Sequence, residues 1–408
     1  MTKGSAVGTA DAPSPWNPWT VGGVAPEEVL RPTGAEEVRS VLVDAAARGF
    51  GVVPLGARTD PGCEPPRRPF VVLSTEDLAG VEEHAPEDLT VTARAGTRLG
   101  ELSAVLAEHR QWVACDPPLA PRRSLGGVVA GGASGDIGTS FGALRDHVLG
   151  LTVVTGDGRV LHLGGRVMKN VAGFDLVRLL VGSRGTLGVV ISATLRVLPR
   201  PALERVLVFR GASADDLLPL CARIRSAPVV PASAVLGGER GGEASLVVRI
   251  QGPPAAVDAD ARRIFGDRLQ EAASLVATDP EGRAALSSAR DGVGVGELVA
   301  RASALPGRLD DVLREVWRAL PAGTWRADVL SGRVRIGSAV VDSRVGELAD
   351  LRGALEEMGG GLILQRATAE VVSRVGAYGT RGAAAELASA LRRALDPQGV
   401  LSPGRFLP

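Results

Sequence analysis

Lysine is almost missing from this 408-residue sequence: Lys3 and Lys169 are the only two, so the 46 basic residues are nearly all arginine. They are matched by 46 acidic residues, and a chain with no net charge has no long-range field to draw it to nucleic acid or to an anionic membrane surface. Cysteine is scarce as well. Cys63, Cys115 and Cys221 are odd in number and show no C-x-x-C spacing, which argues against a disulfide framework, a zinc site or an iron–sulfur cluster and fits a reducing cytoplasm. No run of about eighteen apolar residues is present, so no transmembrane helix is expected. The opening residues 1–24 have no apolar stretch of the secretory kind and are expected to form a disordered leader, in which Trp16 and Trp19 could bind a partner or pack on the domain.

What is present is glycine, 53 residues of it, in a chain long enough for at least two cores. Thr33 and Glu36 have capping-box spacing ahead of a helix with Val38, Val41, Leu42 and Ala45 on one face, and Gly49 ends it. Strands are expected at 51–54, 70–73 and 89–95, with Thr97 capping a helix that carries Leu99, Leu102, Val105 and Leu106. Residues 124–142 lose periodicity and read as a glycine-rich loop. A hairpin turning at 156–158, a short helix opened by Asp175 and closed by Gly182, and a long strand within 186–199 follow. Beyond the Pro199-Arg200-Pro201 linker, strands at 204–210, 245–250, 325–330, 333–340 and 361–366 alternate with helices at 213–226, 254–265, 307–319, 344–358 and 381–395, around an irregular stretch. The fold class expected is α+β, its second half an antiparallel sheet backed by helices.

Three glycine clusters fall in the first half: 56–59, 124–135 and 182–188. Glycine lets main-chain N–H groups close around phosphate, so several such loops in one domain suit a dinucleotide. Neither a complete strand-linked G-x-G-x-x-G nor a G-x-x-x-x-G-K-[ST] motif occurs, so another fold must hold it. The order RPTGAEEV, a strand and short glycine loop, Asp116-Pro117-Pro118, SLGG, ASG, FG, RDHVLGL and VMKNVAGFDLVRLLVGSRGTLGVV resembles the FAD-binding domain of the vanillyl-alcohol oxidase and p-cresol methylhydroxylase family. Within that family it resembles the FAD-binding subunit of bacterial glycolate oxidase, and LDPQGVLSPGRF at 395–406 resembles the family's closing motif.

The resemblance implies a two-subdomain FAD-binding domain at 25–200, a cap facing substrate or partner at 201–380, and a closing helix and motif at 381–408 that return to the FAD domain. It implies non-covalent FAD, because neither His nor Cys lies in the first glycine loop. Leu55, Gly56, Ala57, Arg58, Thr59 and Asp60 would hold the pyrophosphate, with Gly126 and Gly127 bringing backbone against it. Ser134 and Gly135 would lie along the dinucleotide and Val189, Val190 and Ile191 toward the adenine, while Pro117, Ser124, Leu125, Ala133, Gly142 and Gly185 are further cofactor-binding candidates. The family usually has glycine where this chain has Arg58, whose side chain can pair with the phosphates or point outward.

Oxidising a 2-hydroxy acid requires a base for the hydroxyl proton and a cation for the carboxylate. All four histidines, His84, His109, His147 and His162, precede the linker, and the metal-binding H-x-G-D-G-N-x-H type motif of related dehydrogenases is missing, so no metal is expected. Arg366 is a candidate for the carboxylate, and Tyr378 and His147 for acid or base, each of the latter two more often structural. Lys169-Asn170, inside the most family-like block, suggests a local role in the cofactor site. The resemblance implies partners: a larger flavin subunit and an iron–sulfur subunit, with this chain oxidising a small 2-hydroxy acid or relaying electrons. The alternatives are a stand-alone flavin-dependent alcohol or hydroxy-acid oxidoreductase, and a structural subunit that has lost FAD.

Overall fold

A computed structural model describes residues 18–165, 175–293, 296–339, 342–379 and 383–405. Lys169, Asn170, Trp16 and most of the leader lie outside them. The amino-terminal half builds two sheets. Strands Glu28–Leu30, Phe70–Ser74 and Gly51–Leu55 form a parallel sheet with Phe70–Ser74 in the middle, so the chain must cross over between strands, and helix Ala35–Ala47 supplies the crossing. The apolar runs of the two longer strands are buried, as parallel strands covered on both faces should be. The second sheet is antiparallel, in the order Val81–Ala85, Thr90–Arg94, Val189–Arg196, Val148–Val154, Val160–Gly164.

The carboxyl-terminal half is one eight-stranded antiparallel sheet. Helices Leu218–Ser226, Pro254–Phe265, Leu309–Ala319 and Val345–Glu357 cover one face, where Phe209, Phe265, Trp325 and Leu351 join its core. Period-2 alternation assigns the other face. In Leu298–Ser303 the residues Leu298, Ala300 and Ala302 enter that core, which turns Val299 and Arg301 the opposite way, toward the amino-terminal half. No helix among the described residues is long and apolar enough to cross a membrane.

The structure corrects several local expectations. Residues 125–131 form a helix, Leu125–Gly131, because Val128 and Val129 have a core to enter and Gly126 lets the helix lie directly on Ala95. The first capping partner of Thr33 is Glu37, whose carboxylate accepts from both the backbone and hydroxyl of Thr33, while Gly34 occupies the cap. Thr97 is not the cap of helix Leu99–Glu108; its hydroxyl is hydrogen-bonded to the backbone of Gly80, and Arg98 takes the cap position. The stretch read as irregular contains strands Ala273–Val276 and Leu298–Ser303 and helix Pro280–Asp291, and strand Ser233–Glu239 and helix Ala369–Val375 were also not anticipated. These strands carry alanine or glycine where a strong alternation would show bulkier residues, so only pairing with their neighbours defines them.

Candidate functional site

A cleft runs along the amino-terminal half and passes under the arginine-bearing face of the large sheet. Its outer part begins where strand Gly51–Leu55 ends. Leu55, Gly56, Ala57, Arg58, Thr59 and Asp60 line it together with Ser124, Gly126, Gly127, Gly185, Val189 and Val190. The approach of the two glycine segments is close. A Cβ on Gly56 would sit 2.0 Å from Ser124 Oγ, and that hydroxyl accepts a 3.2 Å hydrogen bond from the Ala57 N–H. A Cβ on Gly126 would meet Ala95 Cβ at 2.7 Å. The Gly126 N–H donates to the Ala95 carbonyl at 2.7 Å, so Gly126 seats the helix on the sheet, and the amide of Gly127 comes next, in a first turn that offers it no helical carbonyl.

The deeper part shares Thr59, Asp60, Arg123, Gly131 and Arg184 with the outer one and adds Pro117, Ala133, Ser134 and Gly135. Gly135 has φ +83°, and a Cβ there would lie 2.1 Å from Asp116 Oδ1. The next residue, Asp136, grips the large sheet: both its oxygens accept from Arg335 at 3.0 Å, a two-point pair that is almost wholly buried. Arg333 reaches the Gly135 carbonyl at 3.2 Å and Asp328 at 3.2 Å, and the Leu119 N–H donates to Asp291 at 2.8 Å. Burial, followed by the neighbouring Asp136 charge, pushes the Asp116 carboxyl up to about 7, with Arg249 opposing.

Arg58 lines the groove with its side chain already engaged. Its guanidinium pairs with Glu76 at 2.7 Å and lies 4.1 Å from the centre of the Trp19 ring, so Trp19 packs on the domain. Its φ of 57° is the left-handed conformation that glycine adopts without strain, which is the physical reason glycine suits this position.

Other candidates fall elsewhere. Leu125 is buried in the core behind the cleft, and Ile191 is buried with its carbonyl accepting from the Ala95 N–H. Gly142 and His147 lie outside the cleft; His147 is fully buried, Nε2 bonded to the Phe141 carbonyl at 2.8 Å, and burial lowers its pKa. Tyr378 stands beside the cleft with Arg184 5.5 Å from its ring centre, and burial pushes its phenol up to about 12. Arg366 is exposed on the rim of the deeper part. Residues not anticipated include Arg123, Arg184 and Arg405 on the near wall and Arg301, Arg326, Arg333 and Arg335 on the far one. For Arg405 the closing SPGR motif was a usable signal: the chain end returns so that Ser402 N–H meets the Val52 carbonyl and Arg405 reaches the Pro61 carbonyl. Among the described residues no His, Cys, Asp and Glu side chains are grouped to hold a metal ion.

The fold is of the p-cresol methylhydroxylase type, and residues 26–164 match the family described as FAD binding domain. The chain is homologous to glycolate oxidase subunits and hydroxy-acid dehydrogenases. It is 46% identical over 123 residues to glycolate oxidase subunit GlcE of Escherichia coli (strain K12), covering 30% of this chain and 35% of that one. It is 28% identical over 255 residues to glycolate oxidase subunit GlcD of Bacillus subtilis (strain 168), covering 59% and 54%. To D-lactate dehydrogenase of Archaeoglobus fulgidus it is 33% identical over 192 residues, covering 47% and 43%. The matches thus span from about a third to about half the length of these relatives. Among solved structures, alkyldihydroxyacetonephosphate synthase shares the fold at a TM-score of 0.69 and 18% identity, over 93% of this chain and 77% of that one.

Proposed function

We propose that this chain binds FAD non-covalently in the cleft and serves in the oxidation of a small 2-hydroxy acid, as one subunit of a glycolate-oxidase-like complex with a larger flavin subunit and an iron–sulfur subunit. The observation that carries this is the continuity of a glycine-lined groove with an arginine-lined chamber. The groove fits a dinucleotide diphosphate: Gly56, Gly126 and Gly127 leave no room for a Cβ beside Ser124 and Ala95, so main chain forms the wall. Leu55 to Asp60 and residues 124–127 would hold the diphosphate, and Pro117 and residues 133–135 would lie along the rest. FAD, when bound, supplies the two-electron acceptor.

Among the described residues the chain's own groups supply no evident base for the hydroxyl proton, so turnover should depend on the partner subunits. Asp136, Asp291 and Asp328 are engaged by arginines, Asp60 accepts from Gln365, His147 is sealed in the core, and Tyr378 keeps its proton at neutral pH. Purification after expression with ample riboflavin should give a yellow protein that releases FAD on denaturation. Its glycolate-dependent dye reduction should be low alone and rise when the partner subunits are added. Colourless protein without nucleotide would sink the reading, and full activity of the isolated chain would sink its dependence on partners.

A further inference from the structure

Three arginines stand side by side across three neighbouring strands. Arg326 of strand Thr324–Asp328 is directly opposite Arg335 of strand Arg333–Ser338, and Arg335 is directly opposite Arg301 of strand Leu298–Ser303. All three face the deeper part of the cleft. Like charges facing each other across a sheet are unfavourable, so such a row requires compensation from elsewhere. Arg335 has it in Asp136. Arg326 is satisfied by two main-chain carbonyls, of Ser288 at 3.3 Å and Trp325 at 2.8 Å, which accept hydrogen bonds without cancelling its charge. Arg301 has neither: among the described residues no carboxylate or carbonyl is bonded to it. Burial and the nearby cations Arg184 and Arg333 push it down to about 10, with Asp60 offsetting only part. Across the whole chamber seven arginines face four aspartates.

We infer that Arg301, at the uncompensated end of this row, is the carboxylate-binding residue of the chamber, holding the acid group of the hydroxy-acid substrate through its planar pair of N–H donors. The assignment rests on the function proposed above and makes it more specific. It gives the carboxylate to a partly buried sheet residue instead of to Arg366 on the rim. The anion supplies the charge that the row lacks, and an uncharged analogue of the same shape leaves Arg301 as unsatisfied as before.

The test is calorimetric binding of glycolate and of glycolamide, its uncharged amide, to the FAD-loaded full chain. The native protein should bind glycolate about tenfold or more tightly over glycolamide, the scale of a charge-assisted pair. Arg301→Met and Arg301→Gln should bring the two ligands to within about threefold, keep their flavin, and melt no lower than the native protein because a repulsion has been relieved. Arg366→Met should retain the preference. The assignment is overturned if the native protein shows no preference, if both Arg301 variants keep it, or if Arg366→Met is the variant that loses it. Flavin lost from folded Arg301 variants would mean that Arg301 serves the cofactor diphosphate, and would overturn it too. Failure of the wider reading is separable: a colourless protein would refute FAD binding, while the same calorimetry on that protein still reports whether Arg301 selects the anion.

Discussion

The near wall of the cleft makes contact by leaving side chains out, and the far wall by projecting them. On the near wall, Gly56, Gly126 and Gly135 sit where a Cβ would lie 2.0, 2.7 and 2.1 Å from its nearest neighbour, so two main-chain segments can close on each other and on a ligand. On the far wall, alternate residues of three strands send arginines into the same space. A backbone wall is preorganised and has no side-chain freedom to lose, which suits a cofactor bound throughout turnover. An arginine wall carries charge that must be cancelled, and its state depends on what enters.

The joint between the walls is the place to break the comparison most severely. Replacing Asp136 with Ala leaves Arg335 partly buried, unpaired and adjacent to Arg301 and Arg326, so the unfolding free energy should fall by about 3 kcal/mol or more in urea titration. A loss below about 1 kcal/mol would show that the clasp behaves as a solvated pair and that the walls are held by other contacts.

A smaller effect is expected from the near wall. Gly126→Val forces a branched side chain between helix Leu125–Gly131 and Ala95, and overpacking of this kind costs roughly 1–3 kcal/mol. Because it lifts the segment carrying Ser124 and Gly127, flavin content should drop at least several-fold even where the variant remains folded, as read by absorbance against protein. Native flavin content in a folded variant would mean that this segment is not part of the cofactor's wall.

The two walls differ equally in how far the sequence discloses them. The near wall is local: glycine clusters beside short apolar strands mark where main chain must approach something, and the positions at 55–60 and 124–135 come together in one cleft. Even there, a run of glycines concealed a helix, because glycine's low helical propensity was outweighed by burial of Val128 and Val129. The far wall is not local. Arg301, Arg326 and Arg335 become neighbours only through the register of strands joined by long connections, and one of those strands, Leu298–Ser303, has a core face made of Leu and two Ala residues. Among dozens of arginines, nothing in residue identity alone distinguishes Arg301.

Arg58 is the one arginine within the 55–60 segment of the near wall, and replacing it tests whether that segment acts by main chain alone. Arg58→Gly removes the ion pair with Glu76 and the stacking on Trp19, worth about 1 kcal/mol at a partly exposed site. It also relieves a left-handed backbone of φ 57°, recovering a comparable amount. Stability should therefore change by less than about 1 kcal/mol, and because the guanidinium is already held by Glu76, flavin content should stay the same. A fall of more than about twofold in FAD affinity would place the Arg58 charge on the diphosphate. The near wall would then bind by side chain as the far one does, and the contrast between them would shrink to one of degree.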